Sequence, residues 1–425
     1  MGADLFRSGG GFVSALVQRF TVDFDFPVRF TRAVFAVDNP VFLETVTRLE
    51  PDKRQRVLFV IDENLAKARP RLLPQIQTYC DAHRNRIRHD SEPVLVPGGE
   101  VAKNDLCHVL NLVQWMNELR IDRQSFVAIV GGGAVLDMSC FAAAICHRGI
   151  RAIRVPTTTL SQCDSGVGVK NGVNLFGKKN FIGTFVPPFA VLNDFDFIET
   201  LELRDKLAGI AEAVKVSLIR DRSFFEVLEA DALRLARAEP DALSYSIRRA
   251  AELHLEHIRT SGDPFEQGSA RPLDFGHWSA HKLESMTRHR LRHGEAVALG
   301  MALDTIYSVK AGYFGAADGE RVLNLLETLG FALWDDALLT VNGAGKCVIL
   351  DGLREFQEHL GGLLHVTLLR DIGERFEVNE MDHGLVLESI WDLRRRFRLG
   401  CQAKVTPSSW LALGPYPPPA TGTDL

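Results

Sequence analysis

The chain has 425 residues, 46% of them hydrophobic and 24% charged, and its formal net charge is −5. That length suffices for two domains with full hydrophobic cores, and the small negative charge gives no reason to expect nucleic acid or an anionic membrane as a partner. The 7 cysteines lack CxxC spacing, no signal peptide is recognisable, and no apolar run reaches the roughly 18 residues of a membrane helix. We therefore expect a cytoplasmic protein with reduced thiols.

The first half of the chain alternates between strand-like and helix-like segments. Residues 1–50 have the pattern of an extended lead-in. After them, strands are predicted at residues 56–61, 93–97 and 125–130, and helices at residues 70–83, 104–120 and 134–146. This alternation predicts an α/β domain in which a parallel sheet is covered by helices.

From about residue 199 onward, the apolar residues mainly follow helical spacing. Helices are predicted at residues 204–220, 223–237, 241–258, 276–286 and 294–311, and a late strand at residues 363–369. The end of the chain is rich in Pro, Gly and Thr, which is typical of a loose tail. We expect an α/β domain over residues 1–198, a mostly helical domain over residues 199–405 and a Pro-rich tail over residues 406–425.

A glycine-rich turn, Gly131 to Gly133, follows a predicted strand and opens a helix. Glycines at such a turn let backbone N–H groups approach a pyrophosphate, and the helix N-terminus favours its charge. Asp137 lies one turn into that helix, while Asp62 and Asn64 follow an earlier strand and are placed to hold an adenosine ribose. The pattern indicates a nucleotide cofactor, with a simple tight turn as the alternative.

Polar side chains crowd the stretch of residues 156–170, which includes Asp164 and Lys170, and Lys179 and Asn180 follow soon after. Lysine and asparagine in a glycine-rich loop suit a phosphate or a polyol. A solvated loop is the alternative interpretation.

Glu212 in one helical run, with His277 and His293, provides one carboxylate and two imidazoles. This set suits a divalent metal, with zinc as the default, and three protein ligands leave a coordination position open for substrate. His281 lies on the same helical face as His277. The pair of Glu212 and Lys215 also fits an exposed salt bridge, but the apolar residues around it favour partial burial.

These motifs together resemble the 3-dehydroquinate synthase-like sugar phosphate cyclases, from about residue 56 to about residue 375. The resemblance is carried by Pro-Gly-Gly-Glu100-Val-Ala-Lys103, Gly-Gly-Gly-Ala-Val-Leu-Asp137, His-Arg148-Gly, Pro-Thr-Thr-Thr, and Asp-Phe-Gly-His277 followed by His281 and His293-Gly-Glu-Ala. The amino-acid sequence around His277 is most similar to that of the cyclases of Ebo-type gene clusters. The resemblance implies a homodimer of chains with a Rossmann-like NAD domain and a mostly helical metal-binding domain.

The resemblance also implies roles for individual residues. It implies zinc, or cobalt in some members, at Glu212, His277 and His293. It implies an NAD site lined by Asp62, Asn64, Glu100, Lys103, Gly132, Gly133, Asp137, Thr157, Thr158, Lys179, Thr200 and Leu201. It implies a substrate site with Asp164, Lys170, Asn180, Lys215 and His281, and with Arg148 reaching a substrate phosphate across the dimer interface. The implied reaction is transient oxidation of a hydroxyl by NAD, elimination of phosphate, return of the hydride and ring closure to a carbocycle.

The chain departs from dehydroquinate synthases where a lysine and an arginine of those enzymes grip the substrate carboxylate. The corresponding positions here are Glu256 and Ala270, with Arg271 one residue away, and a usual asparagine is Asp274. A glutamate beside a carboxylate would be repulsive, whereas Glu256 and Asp274 suit sugar hydroxyls. We therefore expect a non-carboxylated sugar phosphate as the substrate.

Three alternatives stay open. A genuine 3-dehydroquinate synthase would need Arg271 to hold the carboxylate. A metal-dependent polyol dehydrogenase would have no use for the phosphate-binding set of Lys170, Lys179, Asn180 and Arg148. A non-catalytic binding module is disfavoured because both the metal set and the NAD set are complete.

Overall fold

The structure, a computed structural model, describes residues 6–8, 11–13, 16–176, 178–268, 272–359 and 362–404. Its strands are β1 Phe6–Ser8, β2 Gly11–Val13, β3 Val28–Thr31, β4 Gln55–Asp62, β5 Ile87–Arg88, β6 Val94–Val96, β7 Phe126–Gly131, β8 Arg151–Pro156, β9 Lys170–Leu175, β10 Lys178–Phe185, β11 Ala190–Asp194, β12 Val366–Asp371 and β13 Glu374–Val378. Its α-helices are α1 Val41–Thr47, α2 Glu63–Ala68, α3 Leu72–Ala82, α4 Val101–Asn104, α5 Leu106–Glu118, α6 Gly133–Ile145, α7 Leu203–Arg220, α8 Arg222–Ala230, α9 Ala232–Ala236, α10 Pro240–Thr260, α11 His277–Met286, α12 His293–Lys310, α13 Ala316–Thr328, α14 Asp351–His359 and α15 His383–Lys404.

The main sheet is parallel, as the alternating pattern predicts. Its strand order is β3-β11-β8-β7-β4, and both β5 and β6 pair with β4. Along β4, alternate residues enter two separate cores. Phe59 and Ile61 pack into one, and Leu58 and Val60 pack into the other. A strand buried on both faces needs a continuous apolar run rather than strict alternation, and the sequence of β4 provides one.

The lead-in prediction is wrong for part of residues 1–50. Strand β3 joins the edge of the main sheet beside β11, with Val28 opposite Val191, and helix α1 follows it. Phe42 of α1 is fully buried in the core on one face of the sheet. The segment therefore completes the sheet rather than preceding it.

The stretch that carries Lys170, Lys179 and Asn180 is a hairpin rather than a loop. Strands β9 and β10 pair antiparallel, with Gly172 opposite Gly183. A Cβ at Gly183 would lie 2.4 Å from the carbonyl oxygen of Asn171. The glycines therefore allow the two strands to approach closely, so the composition that suggested a loop instead belongs to a tightly paired hairpin.

The second half is mostly helical, as predicted. Helices α7, α10, α11 and α12 share one large apolar core, and β12 and β13 form a small antiparallel pair. The last strand of the main sheet ends at Asp194 and α7 begins at Leu203, so we propose that the domains divide near residue 198. The predicted tail, residues 406–425, lies outside the described residues. Among the described helices, none combines the length and apolarity needed to cross a membrane.

Candidate active site

The carboxyl ends of the parallel strands bring the predicted cofactor residues to one edge of the sheet. Asp62 is the last residue of β4, Gly131 is the last residue of β7, and Thr157 directly follows β8. The Thr157 backbone N–H donates to the Gly131 carbonyl oxygen at 3.0 Å. In open parallel sheets, ligands bind outside this edge of the strands, so the arrangement suits a nucleotide.

Gly98 belongs to this edge; it is part of the Pro-Gly-Gly-Glu100 motif, but the sequence analysis assigns it no role. Asp62 caps α2, because its Oδ1 accepts from the backbone N–H of Asn64 at 2.8 Å. A Cβ at Gly98 would lie 2.2 Å from that oxygen and 2.6 Å from Nδ2 of Asn64. Burial raises the pKa of Asp62 despite these hydrogen bonds. The two polar side chains and Gly98 therefore form one close-packed wall.

The glycine turn leaves little room for side chains of its own. A Cβ at Gly133 would lie 2.7 Å from Oγ of Ser165, and a Cβ at Gly132 would lie 3.1 Å from Cγ2 of Thr158. Helix α6 begins at Gly133, so the backbone N–H groups of its first turn, which have no partner within the helix, lie at this glycine turn. The turn fits a pyrophosphate on geometry as well as on sequence.

Lys103, Asp137 and Asn180 meet in one polar cluster. The Lys103 ammonium is buried, donates to Oδ2 of Asp137 at 2.6 Å, and also donates to Oδ1 of Asn180. Asn174 of the same hairpin donates to Oε2 of Glu100 at 3.5 Å. The hairpin thus lies against the residues predicted for the cofactor.

Lys179 occupies a different place from the other predicted cofactor residues. Its ammonium donates to both carboxylate oxygens of Glu284, at 3.1 Å each, and Glu284 lies on α11 in the helical half. The charges of Glu284 and Glu100 raise the pKa of Lys179 despite burial. Lys179 therefore connects the cofactor edge to the helices instead of only lining the nucleotide site.

Among the described residues, three predicted ones have no hydrogen bond or ion pair with the polar cluster around Lys103 or with the pair of Lys179 and Glu284. The Thr200 hydroxyl donates to the carbonyl oxygen of Phe197 at 3.1 Å, and Leu201 follows directly. Arg148 lies in a tight turn after α6 with a positive φ of 62°. Its side chain has no ion pair or hydrogen bond with the described residues. The roles of these three residues stay predictions.

Glu212, His277 and His293 come together as the sequence predicts. Their ligand atoms lie within 4.8 Å of one another. The Nε2 atom of His277 lies 3.9 Å from Oε1 of Glu212, and that of His293 lies 3.5 Å from the same oxygen. Helices α7, α11 and α12 each contribute one member, so the set depends on packing within the helical half.

Both histidines direct Nε2 toward Glu212, because on the other side of each ring an oxygen atom lies within hydrogen-bond distance of Nδ1. His277 Nδ1 lies 3.1 Å from the carbonyl oxygen of Phe275, and His293 Nδ1 lies 3.1 Å from Oε2 of Glu284. A hydrogen bond from Nδ1–H leaves the Nε2 lone pair for a metal, and a carboxylate behind the ring strengthens that ligand. The sequence gives no signal for the role of Glu284, because it is one of many charged residues in the predicted helices.

The surroundings of the Glu212 carboxylate independently support a role as a metal ligand. The residue is 2% exposed, and neither carboxylate oxygen has a hydrogen-bond donor in acceptable geometry among the described residues. Burial would raise its pKa, but the charge of Lys215, 2.5 Å away, together with His293 and His277, outweighs burial and lowers the pKa of Glu212 to about 2. A buried carboxylate without donors is costly, and a cation between it and the two imidazoles would offset that cost.

Asp164 lies beside this set on a short π-helical turn, Ser161–Ser165. Its Oδ2 is 3.9 Å from Nζ of Lys215, and its Oδ1 is 2.6 Å from Nδ1 of His254 on α10. Burial would raise its pKa, but the charges of Lys215 and His254 hold the pKa of Asp164 well below its ordinary value. Lys170, on the adjacent strand, pairs with Glu266 at 2.6 Å.

Arg154 supports the segment that carries Asp164. This arginine is 1% exposed and donates to the carbonyl oxygens of Gly166 and Gly168 at 3.1 and 2.7 Å. It also donates to the Lys170 carbonyl oxygen at 3.1 Å and to Oδ1 of Asn171. Its guanidinium therefore organises the backbone between the turn and the hairpin.

The start of α11 is fixed by a buried carboxylate, Asp304 of α12. Its oxygens accept from Nε1 of Trp278 at 2.9 Å and from the backbone N–H of Gly276 at 3.1 Å. Burial raises the pKa of Asp304 to about 7. Gly276 has a φ of 77°, and a Cβ there would lie 2.6 Å from the backbone nitrogen of Met301. These contacts set the position from which His277 points.

His281 lies in the same group of imidazoles. Its ring centroid is 5.4 Å from that of His277 and 6.1 Å from that of His293. Burial and the charge of Lys179 hold the pKa of His281 well below its ordinary value. The ring is thus neutral near pH 7.

Of the predicted specificity residues, Glu256 and Asp274 lie in the described part of the chain. Glu256 on α10 is exposed, and no described side chain contacts its carboxylate, so its place in the substrate pocket stays a prediction. The helix turns about 100° per residue, and the side chain it directs at the site is that of His254. Asp274 is partly buried, and its charge acts on Lys215 and His277. Arg271 lies outside the described residues.

Comparison with known proteins agrees with this geometry. A family model described as 3-dehydroquinate synthase N-terminal matches residues 93–208, and one described as 3-dehydroquinate synthase C-terminal matches residues 209–346. The chain belongs to the 3-dehydroquinate synthase family. Among members of this family, a protein named 3-dehydroquinate synthase from Jannaschia sp. (strain CCS1) is 37% identical over 298 residues, covering 67% of this chain and 77% of its own. One from Roseobacter denitrificans (strain ATCC 33942 / OCh 114) is 33% identical over 348 residues, covering 81% and 90%.

Solved structures of other proteins share the fold. That of 2-epi-5-epi-valiolone synthase from Streptomyces hygroscopicus subsp. jinggangensis 5008, with NAD⁺ and Zn²⁺ bound, has a TM-score of 0.77 at 26% identity, covering 90% of this chain and 100% of that chain. For 2-deoxy-scyllo-inosose synthase complexed with carbaglucose-6-phosphate, NAD⁺ and Co²⁺, the TM-score is 0.68 at 24% identity, covering 86% and 96%. For glycerol dehydrogenase from Schizosaccharomyces pombe it is 0.60 at 14% identity, covering 90% and 93%. The last two show a likeness of fold alone.

Proposed function

We propose that this member of the 3-dehydroquinate synthase family is a sugar phosphate cyclase that converts a non-carboxylated sugar phosphate to a carbocycle with release of inorganic phosphate. The observation that carries the proposal is the arrangement of Glu212 with the Nε2 atoms of His277 and His293, 3.9 and 3.5 Å away, beside the charged Lys215. The relatives solved with NAD⁺ and Zn²⁺ or Co²⁺ support the same cofactors here.

Glu212, His277 and His293 would hold zinc or cobalt, and the strand ends around Asp62 and Gly132 would hold NAD. When bound, these groups supply a Lewis acid for a substrate oxygen and a reversible hydride acceptor. The substrate phosphate would be bound by Lys170, Asn180 and, in a homodimer, Arg148 of the second copy. The absence of an ion pair at Arg148 among the described residues supports that role.

Three side chains would handle charge and protons. The charge of Glu212 raises the pKa of Lys215 despite burial, so its ammonium stays protonated and stabilises negative charge on a substrate oxygen. Asp164 stays ionised and orients hydroxyl groups. His281 is neutral and accepts a proton from substrate or from a bound water.

A panel of C6 and C7 sugar phosphates tests the proposal, with inorganic phosphate and NADH measured together. We expect phosphate release from at least one neutral sugar phosphate without net NADH. Accumulation of NADH with a simple polyol would instead identify a dehydrogenase, whose fold is similar.

A genuine 3-dehydroquinate synthase is the second candidate, and the names of the curated relatives favour it. The carboxylated heptulosonate phosphate belongs in the same panel. Rapid phosphate release from that substrate, with none from neutral sugar phosphates, would establish this second activity.

A further inference from the structure

The last turn of α7 carries an arginine without a carboxylate partner. Among the described residues, no carboxylate pairs with Arg220, and its Nη1 donates instead to Nδ1 of His257 at 2.9 Å. Arg220 is partly buried, and His257 is only 9% exposed. The neighbouring Arg222 differs, because it forms an ion pair with Asp371. The guanidinium of Arg220 is thus partly withdrawn from water without an opposite charge, which is costly.

The partner of Arg220 is a neutral acceptor. Burial and the charge of Arg220 lower the pKa of His257 to about 4. Because a guanidinium can only donate, Nδ1 of the imidazole carries the lone pair and the proton lies on Nε2. His257 therefore fixes the direction of the guanidinium and leaves its charge uncompensated.

Strand β13 brings a second guanidinium to the end of α7. The Gly373 backbone N–H, directly before β13, donates to the carbonyl oxygen of Leu218 at 2.7 Å. Arg375 is the second residue of the strand, and its side chain is 27% exposed. Burial lowers the pKa of Arg375, the charge of Glu377 opposes this, and the charge of Arg220 lowers the pKa further. Two like charges therefore act on each other here.

The opposite charge beside these arginines is incomplete. Oε1 of Glu377 lies 3.7 Å from Nη1 of Arg375, which is beyond hydrogen-bond distance, while Oε2 lies 3.0 Å from Nδ1 of His365. One shared carboxylate thus accompanies two guanidiniums. Guanidinium groups bind phosphate oxygens through paired, charge-assisted hydrogen bonds, and a phosphate between two arginines would offset their repulsion.

We propose that Arg220 and Arg375 form a binding site for a phosphate-type oxyanion, with His257 as the positioning residue. Glu212 lies about two turns before Arg220 on the same helix, roughly 12 Å along its axis, so this site is separate from the candidate metal site. The inference goes beyond the proposed function and does not depend on it, because it concerns anion binding rather than turnover.

The test measures binding of inorganic phosphate by isothermal titration calorimetry, with metal and NAD bound so that NAD occupies the glycine turn. The background is the double variant Lys170→Ala, Asn180→Ala, which lacks two predicted ligands of the substrate phosphate, and we expect phosphate still to bind it. Adding Arg220→Gln or Arg375→Gln should raise the dissociation constant at least about tenfold. The matched control is Arg222→Gln, which removes a paired arginine from the next helix and should leave the constant unchanged.

A crystal of the wild-type protein soaked in sodium tungstate locates the anion directly. We expect an anomalous difference peak in contact with both guanidiniums, and none at this place in Arg220→Gln. The absence of that peak, or a phosphate dissociation constant that neither Arg220→Gln nor Arg375→Gln changes, would overturn the inference and leave the proposed function intact.

Further variants separate anion binding from a role in folding. His257→Gln keeps an acceptor for Arg220 and should bind phosphate more tightly than His257→Leu, and equal constants would contradict the positioning role. Should Arg220→Gln fail to fold, Arg375→Gln decides alone by the same tenfold criterion. Glucose 6-phosphate as a competitor distinguishes two sources of the anion: displacement of bound phosphate supports a site for phosphate esters, and no displacement supports a site for the free anion.

Discussion

At the strand ends of the N-terminal sheet, glycines and backbone groups dominate, whereas the facing helices present buried carboxylates and imidazoles. Gly98, Gly132 and Gly133 lie so close to neighbouring side chains that a Cβ at any of them would meet an atom of Asp62, Thr158 or Ser165. Glu212, in contrast, holds a charge that burial alone would suppress. The sheet half thus shapes a cofactor site, and the helical half concentrates the reactive groups. Variants that affect one half and spare the other can test whether the two halves act independently.

The largest effect should come from the helical half. Glu212→Ala or His277→Ala removes one of three ligands, and we expect loss of bound metal and a fall in phosphate release of at least about a thousandfold. Metal content by atomic spectroscopy and the phosphate assay measure the two effects. Glu226→Ala, an exposed carboxylate on α8, is the control. Stoichiometric metal with full turnover in either variant would contradict the assignment.

Arg154 is a charged residue of the sheet half whose role is structural. Arg154→Met leaves the carbonyl oxygens of Gly166 and Gly168 buried without their donors, so we expect a loss of about 3 kcal/mol in the free energy of unfolding. Urea denaturation measures it. Arg151→Met, on the same strand but partly exposed, should cost less than about 1 kcal/mol. Equal losses in the two variants would show that burial of the guanidinium is unimportant.

Asp304 predicts a pH dependence of stability in the helical half. Its pKa is raised to about 7 by burial, so its contribution is fully present below the unfolded pKa and is lost as the pH rises toward 7. Wild type should lose about 2 kcal/mol between pH 5 and pH 7 relative to Asp304→Asn, which cannot ionise. Denaturation curves of both proteins at several pH values measure this difference. A difference that does not change with pH would mean that the carboxyl ionises normally.

The smallest effect should come from the cofactor edge. Gly98→Ala places a Cβ against Asp62 and Asn64, whose side chains can shift partly, so we expect NAD to bind about tenfold more weakly. Fluorescence titration measures NAD affinity, and metal content should be unchanged. Gly343→Ala, where a Cβ meets nothing within 4 Å, is the control. Loss of metal in Gly98→Ala would show that the two halves are not independent.

The sequence predicts the parts of the site that depend on local patterns. The buried run of β4 and the glycine turn after β7 follow from composition and spacing, and the parallel sheet follows from both. The residue types of Glu212, His277 and His293 suggest that these side chains lie together, although no local pattern fixes how the three helices that carry them pack.

The residues that the sequence did not reveal are those whose partners are distant along the chain. Lys179 and Glu284 are 105 residues apart, and Trp278 and Asp304 are 26 apart, so neither pair leaves a short-range signal.

The hairpin of β9 and β10 has a consequence for separation of the two halves. Lys179 and Asn180 lie at an irregularity of β10, where Asn180 has a φ of 53°. Here Asn180 meets Lys103 of the sheet half, while Lys179 meets Glu284, which lies behind the His293 ring. Separating the sheet half from the helical half must therefore break the Lys179–Glu284 contact or the Lys103–Asn180 contact. Two consecutive residues thus link the predicted cofactor edge to the carboxylate that orients His293.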